Sequence, residues 1–225
     1  MNAPDSVLVQ EYRRRGLVYY TPAEETLHVA THLAGVVAAL VLFALMVVRA
    51  RTTASLLTAS LSPFLLGVQY AVSVAYHAAE DLERKRVWRT LDYPAVSLNV
   101  LACGSAFSLL YGRAYGYAAF AVCFVLIALT LVLCLRHFDR FKRFAVVTAF
   151  VVGALMFGSF LSAYFSPTGI VRRYPVVWLH LAGLLSSLAG AALFGVKRRF
   201  AHAAFHFFVL VGPVLCMVGN LLQLT

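Results

Sequence analysis

Seven apolar runs, each close to the length an α-helix needs to cross a hydrocarbon core, dominate this chain and leave it few ways to fold. They lie at roughly 27–49, 54–77, 91–112, 115–135, 144–165, 175–195 and 202–222. The 225 residues are 62% hydrophobic and 12% charged, with a mean hydropathy of +0.83, which is too apolar for a water-soluble surface. The expected fold is therefore all-α: a polytopic membrane protein with one seven-helix transmembrane domain over 27–225 and a polar tail over 1–26. No internal repeat, low-complexity segment or second domain interrupts the pattern.

A formal charge of +10 raises the question of nucleic acid, but the basic residues punctuate apolar runs instead of sharing one exposed face, so no nucleic-acid partner is expected. Membrane orientation accounts for them better. With the N-terminus cytosolic, fourteen of the 19 Lys and Arg residues fall on the cytosolic side, among them Arg13–Arg15, Arg84–Arg86, Arg140–Arg143 and Lys197–Arg199. The other five are Arg49, Arg51, Arg113, Arg172 and Arg173. That bias predicts N-inside and C-outside. No cleavable signal peptide is expected, because the first apolar run starts only after the polar stretch that holds Arg13–Arg15.

Details of the runs agree with helices in lipid. Tyr111-Gly112-Arg113-Ala114-Tyr115 reads as a tight aromatic turn of a helical hairpin, and Tyr164, Tyr174 and Trp178 sit where an interfacial belt belongs. Pro63, Pro94 and Pro213 fall within or near the starts of spans, where neighbouring helices satisfy the freed carbonyls. Cys103, Cys123, Cys134 and Cys216 lie inside apolar runs without CxxC spacing and read as packing residues.

All nine acidic residues, and six of seven histidines, fall on the cytosolic side in this topology; His180 is the exception. A charged residue inside a span costs roughly 2.5–3.5 kcal/mol even on the lenient insertion scale, so polar residues within spans are functional candidates. His202-Ala-Ala-Phe-His206 puts two imidazoles one turn apart on one helix face. By itself that spacing equally suits interhelical hydrogen bonding. His77 ends the second run at the same depth, with Ser73 one turn away and Asp92 at the head of the next run. Three imidazoles give Zn2+ three ligands and leave a fourth position for water, whose pKa zinc lowers to about 7. Asp92 then reads as a base for that water or as the partner of a ligand histidine. His28 and His32, also one turn apart behind Glu24 and Glu25, read either as walls of the same cavity or as an interfacial polar cluster.

Three blocks carry a resemblance. They are Glu24-Glu25-Thr-Leu-His28-Val-Ala-Thr-His32, Ser73-Val-Ala-Tyr-His77 through Leu91-Asp92-Tyr93, and His202-Ala-Ala-Phe-His206 through Gly212. In this order, on these runs, the sequence resembles the haemolysin III group of the progestin and adipoQ receptor family, within a superfamily that includes alkaline ceramidases. The resemblance implies seven helices with a cytosolic N-terminus in a bacterial inner (plasma) membrane. It also implies zinc on His77, His202 and His206, and supporting roles for Ser73 and Asp92. Two positions depart from the pattern: His28 stands where asparagine is usual, and Cys216 where a further histidine is common.

The leading expectation is a zinc-dependent intramembrane hydrolase of a lipid amide, with a ceramide-like or fatty-acyl membrane lipid as substrate or ligand. The alternative is a non-catalytic, zinc-stabilised sensor in membrane lipid homeostasis, with the ion closed by a fourth protein ligand such as Asp92. A pore-forming haemolysin or transporter fits less well, because the polar residues cluster at one side instead of lining the full depth.

Overall fold

The computed structural model describes residues 7–111, 114–165 and 174–224, and among them every regular element is helical. The helices are α1 (Val7–Arg14), α2 (Pro22–Arg49), α3 (Thr53–Ala78), α4 (Leu82–Leu109), α5 (Ala114–Tyr164), α6 (Tyr174–Phe194) and α7 (Ala201–Leu221). Five of them, α2, α3, α5, α6 and α7, are long and apolar enough to cross a membrane. The chain is an integral membrane protein by that measure.

Helix starts follow local chemistry. Thr21 caps α2 in a capping box with Glu24, and Pro22 occupies the first turn, where its missing N–H has no partner to lose. Thr52 and Ser55 form the same box on α3, and Asp81 accepts the Arg84 N–H at the head of α4. These caps begin α2 and α4 ahead of the apolar runs expected at 27 and 91, so Glu25 and Lys85 are helical residues. Hydropathy locates the lipid-facing part of a helix, whereas the cap decides where the helix begins.

The runs expected at 115–135 and 144–165 both lie in α5, and their connection is helical except at His137, with φ −149 and ψ 70. Thr130 Oγ1 and Thr148 Oγ1 are 2.9 Å apart, although a straight helix would separate them by roughly 27 Å. The element is therefore a hairpin of two antiparallel limbs. Both free ends return to the end of α4. Ser159 Oγ lies 3.1 Å from Ser108 Oγ, and a Cβ on Gly116 would stand 2.7 Å from the Ser108 carbonyl oxygen. The aromatic turn expected at 111–115 includes Gly112 and Arg113, which lie outside the described residues.

Packing puts polar groups inside and apolar ones outside, as in lipid. Val37, Leu40, Val48, Val125, Phe150 and Leu185 are exposed. Gln69 pairs with Asn99 at 3.2 Å, and the Ser62 and Ser105 hydroxyls meet between α3 and α4. One link joins α3 to α7. Pro213 leaves the Val209 carbonyl without its helical N–H, and the buried Tyr70 hydroxyl donates to that oxygen at 3.0 Å. The Tyr70 ring sits directly on Gly35, where a Cβ would approach Cδ2 to 2.6 Å. Helix α3 packs on α2 and α4, α4 packs on α5, and α6 packs on α7, while α7 also packs on α2, which brings the two ends of the domain together.

Candidate metal centre

That closure of α7 onto α2 assembles the site, because the first turns of α2, the last turn of α3 and the first turns of α7 reach the same end of the bundle. His77, His202 and His206 offer nitrogen atoms within 4.8 Å of one another; His77 and His206 are buried and His202 half-buried. Glu25, His28 and His77 form a second such group. The three expected ligands are thus together, and His77 belongs to both sets.

Glu25 organises the histidines. Its Oε2 lies 2.6 Å from His77 Nδ1 and 3.2 Å from His28 Nδ1. The two Nδ1 atoms also lie 3.1 Å from each other, and a carboxylate only accepts, so His77, the nearer ring, donates to Oε2 through Nδ1–H and keeps its Nε2 lone pair free. Nε2 of His28 and of His77 are both buried without a hydrogen-bond partner, as are Nδ1 of His32 and of His206. Orphaned nitrogens on His77 and His206, two members of the three-histidine group, suit a bound cation, and that group fits a metal ion of the zinc type.

Lys85 was not singled out by the sequence, where it is one cation in the charged run Glu83-Arg84-Lys85-Arg86. The fold buries it: its Nζ is 2.8 Å from Glu25 Oε1 and donates to the carbonyls of Tyr76, His77 and Ala79 at 3.2–3.3 Å. It therefore holds the last turn of α3 and the carboxylate together. Tyr20 is a second addition. It stacks on His202, with ring centroids 4.9 Å apart and 14° between planes, and burial pushes its phenol pKa up.

Other expected residues separate by role. Glu24 lies apart from both groupings: Oε2 accepts from the Thr21 backbone N–H and hydroxyl, and Oε1 accepts the Phe200 N–H at 2.9 Å. Phe200 has left-handed backbone, φ 61, immediately before α7. Glu24 thus fastens the start of α7 to the start of α2. His32 packs on His206, with centroids 4.2 Å apart. Ser73 and Asp92 face one another between α3 and α4, and Asp92 Oδ1 is buried without a partner. Neither metal grouping includes Ser73 or Asp92. His180 stands at the opposite end of the bundle, 3.0 Å from Asn220 Oδ1.

A family model described as haemolysin-III related matches residues 20–217, a segment that contains every residue of this site. The chain belongs to the haemolysin-III-related family. No curated protein and no solved structure matches it. In this haemolysin-III-related chain the His cluster, Glu25 and the Ser73–Asp92 pair all lie within the matched segment, whereas α1 lies outside it.

Proposed function

We propose that this protein binds zinc through His77, His202 and His206 and hydrolyses the amide bond of a membrane lipid, ceramide-like or otherwise fatty-acylated, in support of membrane lipid homeostasis. The observation that carries the reading is three imidazoles with nitrogens within 4.8 Å of one another, inside a bundle whose exterior is apolar. Imidazole donors without thiolate suit zinc. When bound, zinc supplies Lewis acidity for a carbonyl oxygen. The chain's own groups would do the rest: the bundle limits water, Glu25 orients His77 and His28 through their Nδ1 atoms, and Asp92 would take up and return a proton.

A cleft of about 230 Å³ between α3, α4 and α5 supports a lipid substrate. It is lined by apolar residues including Val72, Leu91, Pro94, Leu98 and Ile127, and Val72 and Leu91 are chain neighbours of Ser73 and Asp92. An acyl chain in that cleft would bring its polar end toward the Ser73–Asp92 pair. The proposal includes seven crossings, counting the limbs of α5 separately, with the N-terminus cytosolic and the C-terminus outside, in a bacterial plasma membrane.

Purified protein is expected to carry one zinc per chain and to release fatty acid from a ceramide-type substrate, with the activity lost to a chelator and restored by zinc. His202→Ala and His206→Ala are expected to lose the metal. A second reading, a zinc-stabilised sensor without catalysis, is favoured by the position of His28 beside the three ligands. Fully zinc-loaded protein inert toward a broad panel of lipid amides and esters would decide for it.

A further inference from the structure

We infer that residues 16–20 form a latched strap across the mouth of the metal centre, with Tyr20 as the plug and Arg89 as the latch, so that the ion exchanges with the aqueous phase only when the strap lifts. The inference rests on the zinc reading above and concerns how that same site opens. It starts where α1 ends. Gly16 has left-handed backbone, φ 66; its N–H donates to the Arg13 carbonyl at 2.9 Å, and the Leu17 N–H donates to the Tyr12 carbonyl at 2.8 Å. This pair of bonds is a Schellman turn, which stops the helix. The chain then runs without regular structure to Tyr20, immediately before the Thr21 cap of α2. Tyr20 covers the histidines: its ring stacks on His202, meets His28 edge-on with centroids 4.8 Å apart, and lies 5.9 Å from the His77 ring. His77 and His206 are buried and His202 is half-buried, so the group opens outward at His202, the ring on which Tyr20 stacks.

The other end of the strap is fastened away from the ligands. Arg89 of α4 is 7% exposed; its Nη1 donates to the Gly16 carbonyl oxygen and its Nη2 to the Tyr93 hydroxyl at 3.2 Å, with the guanidinium 5.3 Å over the Phe138 ring. Arg15 pairs with Glu83 in the first turn of α4, Leu17 is buried, and a Cβ on Gly16 would stand 3.6 Å from Asp139 Oδ1 of α5. Helices α4 and α5 therefore hold the strap down at Gly16 while Tyr20 closes the histidine end. The main latch is one charge-assisted bond to a carbonyl, strong for a hydrogen bond yet broken by a local opening. None of these fastening contacts is to His77, His202 or His206, so releasing them changes how often the mouth opens and leaves the ligand set in place. Gating of this kind governs access to a site without altering what the site holds.

The test is stopped-flow zinc uptake and release against a chromophoric chelator, on the purified full-length protein. Arg89→Met keeps the apolar stem and removes the latch donors, Tyr20→Ala removes the plug, and Tyr20→Phe keeps the ring as a control. In Arg89→Met the uptake and release rates are both expected to rise about 10-fold or more, the factor that follows from losing one hydrogen bond of a charged donor. Kd is expected to stay within roughly 3-fold of the parent, because a latch that touches no ligand biases opening alike with and without the ion. Tyr20→Ala is expected to release zinc faster as well, and Tyr20→Phe to match the parent. Parental rates in Arg89→Met and Tyr20→Ala, or faster release in Arg89→Met matched by an equal loss of affinity, would overturn the strap and leave the zinc reading standing. A parent that takes up no zinc would overturn the zinc reading instead. The strap is then read without metal, from the rate at which diethyl pyrocarbonate modifies His202: faster modification in Arg89→Met upholds it, and equal rates overturn it. Should Arg89→Met fail to fold, Tyr20→Ala against Tyr20→Phe decides.

Discussion

At the scale of the residue, Glu25 does most to shape the site, because one carboxylate contacts His28, His77 and Lys85. Its removal frees both rings to turn and leaves the Lys85 cation buried without its counter-charge. Glu25→Ala is expected to weaken zinc binding about 10–100-fold, the usual effect of losing a carboxylate behind a ligand histidine, while Glu24→Ala leaves affinity much closer to the parent. A competition titration with a fluorescent chelator compares the two, and equal effects would refute the division of labour between these adjacent acids. Sequence reasoning placed both acids near the cavity but had no means of separating them. Neighbours on a helix point about 100° apart, and which of the two faces α3 depends on how α2 is rotated. Lys85 was hidden for a related reason: within a run of charges, nothing local says which one is turned inward.

At the scale of the element, Tyr70 and Gly35 control how α2, α3 and α7 meet. Tyr70→Phe leaves the Val209 carbonyl, already deprived of a helical partner by Pro213, without the hydroxyl. The loss of a buried partner is expected to lower stability by about 1–3 kcal/mol. Gly35→Ala forces a Cβ against the Tyr70 ring at a spacing of 2.6 Å, with a cost of similar size, typically 1–3 kcal/mol for overpacking. Thermal unfolding in detergent measures both. Because each displaces α2 or α3 from α7, zinc affinity is expected to fall with them. The long apolar runs were legible because lipid demands them, and they mark most of the helices within a few residues. The early start of α4 and the single-residue bend at His137 were not. Capped, charged turns and a helical connection are invisible to hydropathy, which reports the solvent of a segment and not its backbone.

At the scale of the whole molecule, a metal on His77 of α3 and on His202 and His206 of α7 would clasp helices far apart in the chain. Zinc that binds only the folded bundle stabilises it by mass action, about 2.7 kcal/mol at one hundred times Kd. Stripping with a chelator is therefore expected to lower the unfolding temperature in the parent and to have little effect in His206→Ala. Reporter fusions at the two ends are expected to place them on opposite sides of the membrane, as the skew of Lys and Arg requires. Ends on one side would refute the seven-crossing arrangement. The amino-acid sequence by itself determined that this chain lives in a membrane as a set of helices, and it named His77, His202 and His206 as partners. The first rests on composition and the pairing of His202 with His206 on short-range spacing, which a linear string carries in full, while His77 joined them through its depth in the expected spans and the family resemblance. Only the tertiary structure decided that Glu25 faces the histidines while Glu24 fastens α7, that Lys85 is buried, and that His28 shares the Glu25 carboxylate with His77. Those outcomes depend on the rotation and closure of helices far apart in the chain, set by contacts such as Tyr70 on Gly35 that no local pattern encodes.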